Sequence, residues 1–125
     1  MAEINLFKSS PDAFVVPAGE ALFREGDPGE VLFAVVDGHV EVTLGGHVVE
    51  EVGPGGILGE LALIDASPRA ATAIATVDSR IVGIDRENFT FLVQEHPTFA
   101  LQVMSVMADR IRNANEFRSA GGIDQ

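Results

Sequence analysis

The sequence predicts a mainly β, α+β domain: an antiparallel β-roll or jelly roll of about eight strands, followed by two C-terminal helices. Three observations predict it. From Phe14 to about Ile84, glycine and proline recur every few residues and separate short, β-branched runs. One of those runs alternates apolar and polar side chains with a period of two. After Asp85 the apolar residues recur at three- and four-residue steps, the period of a helix.

The predicted strands are ALF (21–23), VLFAVVD (31–37), VEVTL (40–44), HVVEEV (47–52), AATAIATV (70–77) and RIVGI (80–84). Val40, Val42 and Leu44 alternate with Glu41 and Thr43, which suits a sheet with one wet face. Asp37-Gly38 and Gly45-Gly46 lie between runs, where a two-residue hairpin needs positive φ. In GGILGELALID, Gly59 permits a tight turn, and ELALID is long enough for a short helix. Several short strands at this spacing make a closed antiparallel architecture.

DRENFTFLVQEH (85–96) reads as a helix capped by Asp85, with Phe89, Leu92 and Val93 on one face. His96-Pro97 interrupts it, because the residue before proline is biased away from helix. Pro97 then opens a second helix. Ala100, Val103, Met107, Ile111 and Ala114 would form its inner face, followed by Phe117, and Gly121-Gly122 would end it. No repeat or linker divides the chain, so residues 1–118 are expected to form one domain and 119–125 a tail.

Composition narrows the function classes. The 125 residues carry a formal charge of −11, which argues against a nucleic-acid surface, since phosphate neutralisation needs clustered Lys and Arg. Arg110, Arg112 and Arg118 are the one basic cluster, read as a solvated helix face or partners of the helix dipole. No apolar run is long enough to span a bilayer. MAEINLFKSS lacks the basic start and apolar core of a secretory signal. The absence of cysteine removes disulfides and thiolate metal sites, and a cytoplasmic location is expected. His39, His47 and His96 show no metal-ligand spacing and read as surface or turn residues. No nucleophile stands with a base in a catalytic spacing, so no enzymatic activity is expected. Glu50-Glu51 reads as an exposed strand edge, and Phe14, Phe23, Phe33, Phe89, Phe91 and Phe99 as core.

Arg69 is the only cationic residue between Arg24 and Arg80. Its planar fork suits two phosphate oxygens. The first amides of the ELALID turn, unpaired within it, would face the same anion. Glu60 makes sense beside a phosphate if it accepts from a sugar hydroxyl. A plainer reading is also open: a surface loop in which Arg69 pairs with Glu60 or Asp65.

GELAL (59–63), a four-residue spacer and PRAAT (68–72) closely resemble the phosphate-binding cassette of the cyclic nucleotide-binding domain family. FREGDPGEVLFAVVDGHVEV (23–42) resembles the glycine-punctuated strands of the same family. The resemblance covers about residues 12–118. It implies that Arg69 binds the exocyclic phosphate oxygens, with the amides of Leu61, Ala62 and Ala71 around them. It implies that Glu60 accepts from the ribose 2′-hydroxyl and that Gly59 lets the backbone come close. Members preferring cGMP often carry a hydroxyl residue after the arginine; Ala70 here resembles the cAMP-preferring pattern. In the family's catabolite-activator branch, two polar residues of the last helix reach adenine. They align with Ala114 and Asn115, so Asn115 is the candidate base contact, while Arg112 or Phe117 would instead stack on the base.

The expected function is therefore a cyclic nucleotide sensor, with cAMP as ligand ahead of cGMP, no cofactor, and a downstream protein partner the sequence does not name. Binding would tighten the cassette and draw the C-terminal helices over the base. Two alternatives stand beside it. One is a ligand-independent module that forms a homodimer through the apolar arc of 100–117, including Leu101, Met104 and Met107. The other is the excised regulatory fragment of a transcription factor or channel.

Overall fold

A computed structural model describes residues 6–7, 10–65 and 67–117, with side chains as far as residue 113. Eight antiparallel strands form two four-stranded sheets. In chain order they are β1 (Phe14–Val16), β2 (Ala21–Phe23), β3 (Val31–Asp37) and β4 (Val40–Leu44). Then come β5 (His47–Val52), β6 (Ile57–Leu58), β7 (Thr72–Ala75) and β8 (Ser79–Asp85). One sheet has the order β1-β8-β3-β6 and the other β2-β7-β4-β5. A four-residue 3-10 turn, Glu60–Leu63, follows β6, and helices α1 (Arg86–Glu95) and α2 (Thr98–Phe117) are the last described elements.

The β3 run is apolar at nearly every position because both its faces are covered. Leu32, Ala34 and Val36 face a core shared with the helices, while Val35 faces a second core between the sheets. Its neighbour β8 divides in the same way: Val82 and Ile84 meet the helices and Ile81 the sandwich. Val40, Val52, Leu58, Ala73 and Ala75 fill the rest of the inter-sheet core. The β4 alternation fades outward: Val40 is buried, Val42 half-buried and Leu44 exposed.

Asp85 caps α1 by accepting from the Asn88 amide at 2.8 Å, and the chain breaks at His96-Pro97 as expected. Phe89, Leu92 and Val93 turn to the core. Helix α2 is rotated from the predicted face. Phe99, Val103 and Val106 are buried among its described side chains, whereas Ile111 is exposed. Phe99 sets this rotation by packing its ring between Phe7 and Phe89, at centroid distances of 5.7 and 5.5 Å. The predicted inner residue Ala114 and the stop at Gly121-Gly122 lie outside the described side chains and residues. The tail 119–125 also lies outside them.

Three further expectations are corrected. Asp37-Gly38 is no hairpin turn, because β3 and β4 belong to different sheets, and the chain crosses between them there. Gly45-Gly46 does close a hairpin, with Leu44 opposite His47 and positive φ at both glycines. Phe14 and Phe91 are exposed, since β1 is an edge strand and Phe91 lies on the outer face of α1. The β7 strand covers only Thr72–Ala75 of the predicted 70–77.

Candidate functional site

The site forms where β6 runs into the 3-10 turn. Gly59 makes the junction with φ of +75°, and a Cβ added there would lie 2.6 Å from Arg69 Nη1. The left-handed angle favours glycine, and any Cβ there would also push the Arg69 guanidinium aside. Within the turn, the Ala62 amide donates to the Gly59 carbonyl at 3.2 Å, and the Ile64 amide to the Leu61 carbonyl at 3.0 Å.

Arg69 is clasped by the 24–29 loop. Its amide donates to the Asp27 carbonyl and its carbonyl accepts from the Gly26 amide, both at 2.8 Å. Its guanidinium is buried. Nη2 donates to the Val31 carbonyl at 2.9 Å and Nη1 to that of Gly59 at 3.3 Å, while Nε has no partner among the described residues. Burial pulls its pKa below the ordinary range, and nearby Asp27 opposes that pull. Arg69 bonds neither Glu60 nor Asp65, which removes the plainer reading of an ion pair on a surface loop.

Glu60 is 7% exposed, and its partner is Arg110, 50 residues away. Arg110 Nη1 donates to Glu60 Oε1 at 2.5 Å, Nη2 to the Ile57 carbonyl at 2.6 Å, and Nε to Glu50 Oε1 and Oε2 at 2.8 and 2.9 Å. Burial opposes the Arg110 charge, but the hydrogen bonds and charges of Glu60 and Glu50 outweigh it and hold the pKa above the usual value. The expectation of a solvated face is therefore wrong for Arg110, and that of an exposed edge is wrong for Glu50. Glu51 does reach solvent, where it meets His39 Nε2 at 2.9 Å. Arg112 pairs with Asp109.

These elements enclose a cavity of about 350 Å³. Gly59, Glu60, Leu61, Ala62, Arg69, Ala70 and Ala71, all singled out from the sequence, line it together. Phe23, Glu50 and Arg110 also line it and were missed. A signal for Arg110 existed: it follows Val103, Val106 and Met107 on the inner face of α2, where a charge needs a buried partner. Asn115 belongs to α2, but its side chain lies outside the described residues, as do those of Ala114 and Phe117. Among the described residues, no three His, Asp or Glu gather as a metal site, and no helix is long and apolar enough to cross a membrane.

A β-roll that closes such a pocket over a clasped arginine and a buried carboxylate is a small-ligand-binding domain. The chain belongs to the cyclic nucleotide-binding domain family, whose model matches residues 13–96. It is 31% identical over 118 residues to the cyclic AMP receptor protein of Thermus thermophilus, covering 90% of this chain and 55% of that protein. The crystal structure of Thermus thermophilus catabolite activator protein superposes with a TM-score of 0.76 at 30% identity, over 86% of this chain and 53% of that one. A structure described under "A cyclic-GMP-dependent signalling pathway regulates bacterial phytopathogenesis" gives 0.74 at 29% identity, covering 90% and 98%. The chain spans about half the length of the bacterial cyclic AMP-related regulators it matches, and 7% of the fungal lysophospholipases.

Proposed function

We propose that this chain is a cAMP-binding sensor module, acting in the cytoplasm without catalysis of its own. The observation that carries the reading is that one cavity brings together the buried carboxylate of Glu60 and the clasped guanidinium of Arg69. Arg69 takes the cyclic phosphate, with the amides of Leu61 and Ala71 around it; the Ala62 amide, expected to be unpaired, joins them only by giving up its 3.2 Å bond to the Gly59 carbonyl. Glu60 accepts from the ribose 2′-hydroxyl, and Gly59 admits the ligand close to the backbone. Ala70 offers no hydroxyl to a guanine amino group, which favours cAMP over cGMP. The name of the Thermus relative supports the same choice. Asn115 is the proposed base contact, and residues 1–118 the proposed functional unit. Closing the pocket shifts α2, the surface a downstream protein partner would read.

Calorimetric titration with cAMP, cGMP and cyclic dinucleotides side by side tests the ligand. Arg69→Ala should weaken cAMP binding about a hundredfold or more, since two hydrogen bonds to a charged group are worth about 1.5–3 kcal/mol each. Unchanged affinity in that variant would remove Arg69 from its assigned role.

A second reading has one observation in its favour. Leu101, Met104 and Ile111 are 64, 54 and 63% exposed on α2, an apolar seam suited to a homodimer. Met107, counted in that arc from the sequence, is half-buried instead. Light scattering of Leu101→Lys/Met104→Lys beside the parent chain decides it: a mass that halves supports the dimer, and an unchanged monomer mass excludes it.

A further inference from the structure

Arg69 is a buried cation that no carboxylate bonds among the described residues. Buried charges ordinarily carry an opposite charge as partner. Asp27 lies near enough to favour the charge but bonds none of its donors, and two aromatic rings cover the guanidinium instead. Phe23 and Phe33 stack at a centroid distance of 6.0 Å and an interplanar angle of 25°. Arg69 Cζ lies 4.4 Å from the Phe23 centroid and 5.4 Å from that of Phe33. Both contacts fall within cation–π range, in which the ring quadrupole attracts the cation without adding net charge.

We propose that Phe23 and Phe33 are positioning residues for ligand recognition: they seat the Arg69 guanidinium in place of a hydrogen-bonded counter-ion and leave its donors available to an anionic ligand oxygen. This rests on the reading of Arg69 as the phosphate partner.

A carboxylate could also hold a buried guanidinium, but it would compete with the ligand. Its charge-assisted bonds would occupy the N–H donors the phosphate needs and would have to break on binding. A ring contact takes up none of the five donors. The surrounding backbone is arranged for this seat. The Gly26 and Asp27 main-chain bonds fix the arginine backbone above the rings. Gly29 leaves room for the side chain, because a Cβ there would come 2.2 Å from Arg69 Nε. The register of β2 against β7 slips between Ala21 and Phe23, and such bulges re-aim a side chain. Phe23 also lines the ligand cavity, so it touches the cation from within the site.

The test compares the parent chain with Phe23→Leu, which removes the ring at similar size, and Phe23→Tyr, which keeps it. Calorimetry with cAMP and with adenosine, which lacks the phosphate, separates positioning from general damage. Phe23→Leu should bind cAMP about two- to tenfold more weakly, since a long side chain must then be ordered on binding. Its adenosine affinity should fall clearly less than its cAMP affinity. Phe23→Tyr should stay within about twofold of the parent, since the ring face persists. A second measurement needs no ligand. In proton–nitrogen NMR spectra the Arg69 Nε–H proton should be shifted upfield by the rings in the parent and Phe23→Tyr, and move toward the free-arginine position in Phe23→Leu, where Phe33 alone remains. Parent-like cAMP affinity in Phe23→Leu, equal losses for cAMP and adenosine, or an unshifted proton in the parent would each overturn the seat. A parent chain that binds no cyclic nucleotide defeats the functional reading instead, and the NMR measurement then decides the seat alone.

Discussion

Arg110 and Glu60 join the last helix to the first residue of the 3-10 turn: Nη1 of the arginine donates to Oε1 of the carboxylate at 2.5 Å. Under the proposed function, a ribose hydroxyl arriving at Glu60 shares its carboxylate with this guanidinium. Site occupancy and the position of α2 then become one equilibrium, and each biases the other by the same free energy.

Arg110→Ala should be among the most damaging single changes on α2. It leaves Glu60 buried and unpaired and removes the donor to the Ile57 carbonyl. Breaking a buried pair costs about 3–5 kcal/mol, and partial exposure of Arg110 reduces this to about 2–3 kcal/mol. Glu50→Ala should cost no more than about 1 kcal/mol, because Glu50 is the more exposed partner. Urea unfolding of both variants checks the ranking, and a larger loss for Glu50→Ala would contradict it.

Gly29→Ala should affect recognition more than stability. The intruding Cβ lies 2.2 Å from Nε and 2.9 Å from Cδ of the buried Arg69, so unfolding free energy should fall by about 1–3 kcal/mol. The displaced guanidinium, however, should lose about tenfold or more in cAMP affinity, the worth of one hydrogen bond to a charged group. Melting and calorimetry on the same sample measure both effects.

Ala70→Thr adds a hydroxyl beside the arginine, at a position that lines the cavity. Relative affinity for cGMP over cAMP should rise by about fivefold or more, corresponding to one ordinary hydrogen bond of about 1 kcal/mol. Competition binding with both nucleotides reads this ratio directly. An unchanged ratio would detach residue 70 from base selection.

The elements legible in the sequence are those whose signals are local. Asp85 shows its cap within three residues, His96-Pro97 its break within two, and Gly59 its turn at a single position. The cassette residues could be grouped because they lie within 14 positions of one another, Gly59 to Thr72. What escaped depends on tertiary pairing. Arg110 finds Glu60 and Glu50 across 50 and 60 residues, and nothing beside it in the chain announces either. Strands β1 and β6, three and two residues long, are too short to show a period. The crossing at Asp37-Gly38 looked like a hairpin because sheet membership is not written in a dipeptide. The rotation of α2 followed from where Phe99 packs, which apolar spacing alone leaves open by one residue.

The double-sided coverage of β3 has an outcome for sequence drift. Neighbouring positions along it answer to different constraints, odd ones to the sandwich and even ones to the helices, so polar replacements should be purged at both parities. The β5 edge, with Val48 and Val49 open to solvent, imposes no such filter. Neutral variation should therefore pool on that rim rather than on the central ribbon, next to Glu50, one of the two carboxylates that bind Arg110 of the last helix.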